Sequence, residues 1–271
     1  MNTINLAKNN NIVLIDCSYY IFHRYFATYR WFTFQKIDIS TDDIVDNEIF
    51  IRAFYKHINN DIKKICKMWK INISNIILCN DCLRSDIWRN DIYDKYKATR
   101  VQKTNFNKKI FTIFGEYVKQ LGIQNISSQR LEGDDIIYLS HKYIKQNISN
   151  NNNIIIITND NDFLQLIDYN VLIYNMQFKE LKARGFEDPT VDLLFKVIFG
   201  DRSDNIYKIG ACITKNNALI LAKMPFEKRI QYIRENGLED KYNLNMQLVS
   251  FENIPIKYID IFNDNVKILI S

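Results

Sequence analysis

The chain has 271 residues, 47% of them hydrophobic and 25% charged, which suffices for one large α/β domain or for a domain with a small helical annex. It has no apolar run of about 18 residues and no secretory signal at its N-terminus, so we expect a soluble, intracellular protein. Five cysteines without a regular spacing favour reduced thiols, and a single Cys79/Cys82 pair among three scattered histidines favours buried thiols over a zinc site.

Short, uninterrupted apolar runs predict four buried strands. They lie at 11–18, 75–81, 151–160 and 171–176, and amphipathic helices are predicted at 47–69 and 131–144. Continuous apolar strands alternating with helices predict a parallel sheet that is covered on both faces. Such sheets bind ligands at the carboxyl ends of their strands.

A helical annex is predicted to follow the sheet. From about Pro189 the strand pattern gives way to helical patterns at 190–201 and 215–224. We therefore predict a first domain over 1–188 and an annex with a C-terminal tail over 189–271. The tail has strand-like pieces at 247–251 and 266–270, and their pattern does not determine their place in the fold.

Acidic residues recur where strands end and helices begin. Asp16, Asp81 and Asp160 each follow a predicted strand, so a parallel sheet brings them to one edge. The others stand nearby or at helix starts: Asp162, Glu132, Asp134, Asp135, Asp201 and Asp204. Any one of them alone is better explained as a turn former or a helix cap.

Their number points to metal binding. Two carboxylates about 4 Å apart repel by roughly 4 kcal/mol at an effective dielectric constant of 20, so a cluster needs cations or protons. No histidine or cysteine accompanies these acids, which favours hard divalent cations such as Mg²⁺ or Mn²⁺. Two such ions suit hydrolysis of a phosphodiester.

The rest of the chain is basic. Setting the nine acids aside leaves 22 acidic residues against 36 Lys and Arg, a charge of +14. The segment 88–121 carries eight of these cations interleaved with aromatic residues. They form either a solvated basic helix face or, around 96–100, a surface that binds nucleic acid. An acidic site in a basic body suits a polyanionic substrate.

Five ordered motifs identify a family resemblance. They are LIDCSYYIFHRYFA, NDCLRSDIWRNDIYDKYKATR, LEGDD, TNDNDFLQL and GDRSDN. Together they resemble the flap endonuclease/5′ nuclease superfamily, most closely the phage enzymes and the 5′ nuclease domain of bacterial DNA polymerase I. The resemblance implies a PIN-like α/β fold, with a helical arch at about 88–121 and a helix-hairpin-helix in the annex.

The resemblance also implies roles for residues. The nine acids match the carboxylates that bind two Mg²⁺ ions, for which Mn²⁺ substitutes, and Lys97 and Arg100 match catalytic residues that contact the scissile phosphate. The expected nucleic-acid-binding residues are Arg24, Arg89, Tyr96, Lys97, Arg100, Lys103 and Lys215. The implied activity is Mg²⁺-dependent cleavage of DNA at 5′ flaps or single-stranded 5′ ends during replication or repair, which leaves a 5′ phosphate.

Two departures from the family pattern stand out. The segment between YKATR and LEGDD is short, which predicts an abbreviated arch. Ala211 and Ile213 stand where a hairpin that binds duplex and a potassium ion has glycines, and a β-branched residue does not allow the same close approach to a phosphate. This puts the hairpin's duplex binding and its K⁺ in question.

Other interpretations stay open. The substrate could include RNA/DNA hybrids or four-way junctions, and a polymerase would act in trans. The alternative from another class is a non-catalytic module that binds nucleic-acid ends.

Overall fold

The computed structural model describes residues 2–36, 44–100, 106–148 and 152–270. The strands are β1 (Asn2–Leu6), β2 (Asn11–Asp16), β3 (Ile76–Cys79), β4 (Gln124–Ile126), β5 (Asn153–Ile157), β6 (Val171–Tyr174) and β7 (Val266–Ile270). The helices are α1 (Cys17–Phe34), α2 (Glu48–Trp69), α3 (Lys109–Gln120), α4 (Gly133–Asn147), α5 (Pro189–Phe199), α6 (Lys215–Lys223), α7 (Phe226–Glu235), α8 (Glu239–Val249) and α9 (Ile256–Asn265). Among these residues, no helix is both long and apolar enough to cross a membrane.

A parallel sheet forms the core, as predicted, and it has a fifth strand, β4, beyond the four that the sequence indicated. Its strand order is β4-β3-β2-β5-β6, and all four strand pairs are parallel. Because β3 and β5 flank β2 on opposite sides, the strand order reverses at β2, and a ligand site is expected at the carboxyl ends there. Asp16 ends β2 beside Cys79, the last residue of β3.

Alternation along the strands divides the core into two layers. Ile154 and Ile156 pack on the face covered by α4 and α9, whereas Ile155 and Ile157 pack on the face covered by α1, α2 and α3. All four side chains are fully buried. The four isoleucines therefore bury their side chains on both faces of the sheet, which explains why no polar residues alternate with them in the sequence.

The arch prediction is wrong over α3. Ile110, Phe114 and Val118 of this helix are buried, and it packs on the core beside α1. In the described part of 88–108 the only helix is one short 3₁₀ segment, Trp88–Asp91, followed by turns.

The C-terminal tail returns to the first domain. Strand β7 pairs in parallel with β1, at the opposite end of the chain, so 266–270 is a strand as expected. The piece at 247–251 is not a strand, because α8 runs to Val249 and a 3₁₀ turn follows it. Phe251, Tyr258 and Phe262 pack in the same core layer as α4. Within the described residues, the core of the predicted annex lies between α5 and α8 and includes Ile87 and Tyr96 of the first domain.

Candidate active site

The carboxylate of Asp16 is fixed at the junction of β2 and α1. It caps α1 by accepting a hydrogen bond from the backbone N–H of Tyr19 at 3.0 Å, and Thr158, which follows β5, donates its hydroxyl to the other carboxylate oxygen at 3.0 Å. The cap satisfies one of the unpaired N–H groups at the helix start. Two neighbouring strands therefore hold one carboxylate at the sheet edge.

Asp81 is fixed by the start of α4. The Gly133 N–H donates to Asp81 Oδ1 at 2.6 Å, and Ser18 donates its hydroxyl to the other oxygen. A Cβ at Gly133 would lie 3.1 Å from the Cys79 carbonyl oxygen and 3.2 Å from Asp81 Oδ1. Glycine therefore allows the acidic end of α4 to dock directly against the end of β3.

Burial and neighbouring negative charges raise the pKa of two acids at this site, Asp16 and Asp134. Burial, the Asp81 charge and the Asp160 charge together raise the pKa of Asp16 from 3.8 to about 7. Burial and the charges of Asp160 and Asp16 raise the pKa of Asp134 well above its ordinary value. Without a bound cation, these carboxylates therefore hold protons near neutral pH.

A second acidic cluster lies where α5 meets the turn after β5. Carboxylate oxygens of Asp162, Asp201 and Asp204 lie within 4.8 Å of one another. Lys196 of α5 forms an ion pair with Asp162 and, at 2.6 Å, with Asp201. Although burial opposes it, the Lys196 charge lowers the pKa of Asp201 to about 2.

Lys97 and Arg100 lie between the two acidic clusters. Lys97 Nζ is 2.5 Å from Glu132 Oε1 and 3.8 Å from Asp204 Oδ2, and Arg100 Nη2 is 2.5 Å from Asp204 Oδ1. Lys97 has a positive φ of 54°, an uncommon conformation for a residue with a side chain. Despite burial, Lys97 and Arg89 lower the pKa of Glu132, which keeps that carboxylate ionised.

The structure corrects the predictions for Arg89 and Asp135. Arg89 is 3% exposed, and its guanidinium donates to both oxygens of Asp135 at 2.8 and 2.9 Å, to Glu132 at 3.0 Å and to the Leu248 carbonyl at 2.9 Å. Asp135 is fully buried and also accepts from the Trp88 indole. Arg89 is therefore not placed to contact nucleic acid, and Asp135 neutralises Arg89 instead of facing the site.

The other predicted nucleic-acid contacts have varied positions. Arg24 forms an ion pair with Asp61 of α2, and the Tyr96 hydroxyl lies 3.0 Å from Glu132, so both side chains have structural partners. Lys215 lies on the wall of the cavity described next. Lys103 falls outside the described residues.

One cavity of about 1760 Å³ contains seven of the nine predicted acids. They are Asp16, Asp81, Glu132, Asp134, Asp160, Asp162 and Asp201. Asp204 joins this site through its cluster with Asp162 and Asp201.

Aromatic and basic side chains on the cavity wall escaped the sequence analysis. The aromatic ones are Tyr19, Phe22, Phe26, Phe186 and Phe195, and the basic ones are Arg30, Arg84, Arg184 and Lys196, whereas Phe106, Lys108 and Phe111 on the same wall belong to the basic segment 88–121. Tyr19, Phe22 and Phe26 succeed Asp16 at helical spacing, which is a signal that could have placed one face of α1 beside the acids.

The donor set fits divalent metal ions. Every candidate ligand is a carboxylate, the donor that Mg²⁺ and Mn²⁺ prefer. Asp162, Asp201 and Asp204 converge closely enough for one ion, and Asp16, Asp81, Asp134 and Asp160 face the same cavity. Burial and the charges of neighbouring acids raise the pKa of Asp16 and Asp134, a perturbation that is common at functional sites.

Comparison with known proteins agrees with this geometry. Residues 11–190 match the family model of the 5′–3′ exonuclease N-terminal resolvase-like domain. A 5′–3′ exonuclease of Buchnera aphidicola subsp. Acyrthosiphon pisum is 25% identical over 256 residues, which cover 90% of this chain and 83% of that protein. A phage T4 protein named Ribonuclease H is 25% identical over 248 residues, which cover 82% and 80%.

A solved structure shares the fold. It is a bacteriophage T5 flap endonuclease in a complex with DNA and metal ions, with a TM-score of 0.59 at 17% identity, covering 94% of this chain and 97% of that one. The family match includes β2 to β6 and the sheet-edge acids at their ends. The chain therefore belongs to the 5′–3′ exonuclease family and contains its N-terminal resolvase-like domain.

Proposed function

We propose that this protein is a 5′ nuclease that uses Mg²⁺ to hydrolyse DNA phosphodiesters at 5′ flaps or single-stranded 5′ ends in replication or repair. The observation that carries the proposal is one cavity that combines seven of the nine predicted carboxylates with basic and aromatic walls. Acids alone would repel DNA, and cations alone would only bind it. Their combination suits a backbone that is held by Lys and Arg while metal ions address one phosphate.

Two groups of acids are the candidate ligands for two metal ions. Asp16, Asp81, Asp134 and Asp160 would hold one ion, and Asp162, Asp201 and Asp204 the other. Bound ions would supply Lewis-acid activation of the scissile phosphate and of the attacking water. Mn²⁺ should substitute, since it accepts the same oxygen ligands.

The basic residues have a separate task. Lys97 and Arg100 carry fixed positive charge between the two acidic clusters, where a phosphate would sit. Positive groups held in place before the reaction stabilise charge that develops on the phosphate without a cost of reorganisation. Lys97 and Arg100 are therefore the proposed catalytic cations, and Glu132 and Asp204 orient them.

The aromatic side chains on the cavity wall favour a substrate with a single-stranded end. Phe22 is 39% exposed, and it lies at the cavity with Phe26 and Phe111. Aromatic faces beside cations bind unpaired bases with little preference for sequence. The exonuclease and flap endonuclease names of the relatives agree with such a substrate.

RNA/DNA hybrid is a second candidate substrate, because one relative is named Ribonuclease H. A hybrid with a 5′ RNA end, compared with the all-DNA duplex of the same sequence, tests this directly. Faster cleavage of the hybrid would assign the protein to removal of RNA, with a polymerase acting in trans.

The alternative to an enzyme is a non-catalytic module that binds DNA ends. Against it is the mutual repulsion at the site, where burial and Asp81 raise the pKa of Asp16 to about 7. A protein that only binds a polyanion gains nothing from such acids.

Cleavage of 5′-labelled substrates tests the proposal. A flap duplex, a nicked duplex and a single strand are each incubated with Mg²⁺, Mn²⁺ or EDTA. Asp160→Asn and Asp201→Asn should abolish cleavage while DNA binding persists, and Asp264→Asn, an exposed acid of α9, should cut like the unmodified protein. Full activity in either site variant would contradict the assignment, and metal-independent binding without cleavage of any substrate would favour the binding module.

A further inference from the structure

The connection between α5 and α6 ends in a tight turn, residues 207–214, which we call the annex hairpin. Its entry is held by a hydrogen bond from the Ile209 N–H to the Ile198 carbonyl at 3.0 Å, and its turn is closed by one from the Ile213 N–H to the Gly210 carbonyl at 3.1 Å. Thr214 then caps α6. This is the stretch in which the family resemblance implies a potassium ion.

Packing alone accounts for the shape of the hairpin. The side chains of Ile209 and Ile213 are 5% and 1% exposed, within the annex core. A Cβ on Gly210 would lie 2.9 Å from Leu238 Cδ2, so the hairpin rests closely on the α7–α8 connection. The turn therefore has buried apolar anchors on both sides and needs no ion to hold it together.

A lysine ammonium takes a backbone oxygen that a cation would use. Lys208 Nζ donates a hydrogen bond to the Ile213 carbonyl at 2.8 Å across the hairpin. K⁺ sites in proteins are built from such backbone carbonyls. A carbonyl that already accepts from an ammonium is a poor ligand for a second cation, because the two positive charges would lie within a few ångströms of each other. The hairpin as it stands does not fit the potassium ion.

We infer that Lys208 replaces a potassium ion in the annex hairpin: its ammonium, held by the Ile213 carbonyl, presents the positive charge that a duplex phosphate meets there. The inference deepens the proposed function and rests on it, since it assumes that the annex binds the duplex part of the substrate. Its consequence is that duplex binding does not depend on K⁺. Lys208 is thus a positioning residue for the duplex and takes no part in the chemistry.

Duplex affinity in two chloride salts tests the inference. Binding of a fluorescein-labelled duplex is measured by anisotropy with Mg²⁺ present, in an Asp160→Asn background that prevents cleavage. The monovalent salt is KCl or tetramethylammonium chloride at equal ionic strength, because phosphate contacts respond strongly to salt concentration. Tetramethylammonium is too large to enter a site made of carbonyls.

Three variants share this background. Lys208→Met removes the ammonium, Lys208→Arg keeps the positive charge, and Lys119→Met removes an exposed lysine of α3 in the first domain. The background protein, which keeps Lys208, should bind the duplex with equal affinity in both salts. Lys208→Met should bind about 5- to 10-fold more weakly in tetramethylammonium and recover part of the loss in KCl, because the Ile213 carbonyl is then free for K⁺. Lys208→Arg and Lys119→Met should bind equally in both salts.

The outcomes separate the inference from the proposed function. Weaker duplex binding by the background protein when K⁺ is withdrawn overturns the inference. A Lys208→Met variant that keeps full duplex affinity, or that loses the same affinity in both salts, also overturns it. In each of these cases, flap cleavage by the unmodified protein, run in parallel, leaves the proposed function standing. A protein that neither binds duplex nor cuts a flap overturns both.

Discussion

Replacing Arg89 with methionine is expected to destabilise the protein more than any substitution on its surface. The guanidinium is 3% exposed and makes hydrogen bonds to both oxygens of Asp135, one oxygen of Glu132 and the Leu248 carbonyl. Methionine fills part of the volume but offers no donor. Asp135, which is fully buried, would then keep a charge without its partner.

The magnitude follows from burial. Removing one partner of a buried ion pair costs about 3–5 kcal/mol, because the remaining charge stays desolvated. An exposed pair contributes about 0.5 kcal/mol or less. Arg52 and Glu48 provide the matched control, since they form an i,i+4 pair at 2.9 Å with side chains that are 80% and 81% exposed. Arg52→Met should therefore change the free energy of unfolding by only a few tenths of a kcal/mol.

Equilibrium unfolding in urea, followed by circular dichroism, measures both variants. The double variant Arg89→Met/Asp135→Asn completes a cycle with the two single variants. We expect the double variant to be more stable than Arg89→Met alone, because asparagine removes the uncompensated charge. An Arg89→Met variant within 1 kcal/mol of the unmodified protein would refute the reasoning, and so would a double variant that is no more stable than Arg89→Met.

Further predictions concern pH, the start of α4 and the tail. Burial and the Asp81 charge raise the pKa of Asp16 from 3.8 to about 7, so the folded state binds this proton more tightly than the unfolded state. The metal-free protein should lose up to a few kcal/mol as pH rises through that window, and melting with and without Mg²⁺ should show the ion stabilising more at pH 8 than at pH 5. Gly133→Ala should cost about 1–3 kcal/mol and displace Asp81, seen as slower flap cleavage, whereas Gly115→Ala in α3, where a Cβ meets nothing within 4 Å, should be neutral or stabilising. Phe262→Ala should cost about 3–5 kcal/mol in urea unfolding, because this tail residue is fully buried in the first domain's core; a loss under 1 kcal/mol would show that the tail is not part of that core.

The sheet and most acids of the site follow from local sequence. Short, continuous apolar runs such as 154–157 predict strands that are buried on both faces, and parallel strands bring the residues after them to one edge. This places Asp16, Asp81 and Asp160 together without any knowledge of their contacts. Helical spacing likewise predicts α2 and α4.

Only the tertiary structure decided the partners of those residues. Asp135 follows Asp134 directly in sequence, but the rotation of about 100° between consecutive helical residues directs Asp135 to Arg89 and away from the cavity. Strand β1 has no pattern of its own, and it exists because β7, at the other end of the chain, pairs with it. The Lys208 ammonium reaches the Ile213 carbonyl only because the hairpin folds back on itself. Periodicity depends on near neighbours in the chain, whereas charge pairing and edge pairing join groups far apart in sequence, and their free energies depend on burial that only the folded chain creates.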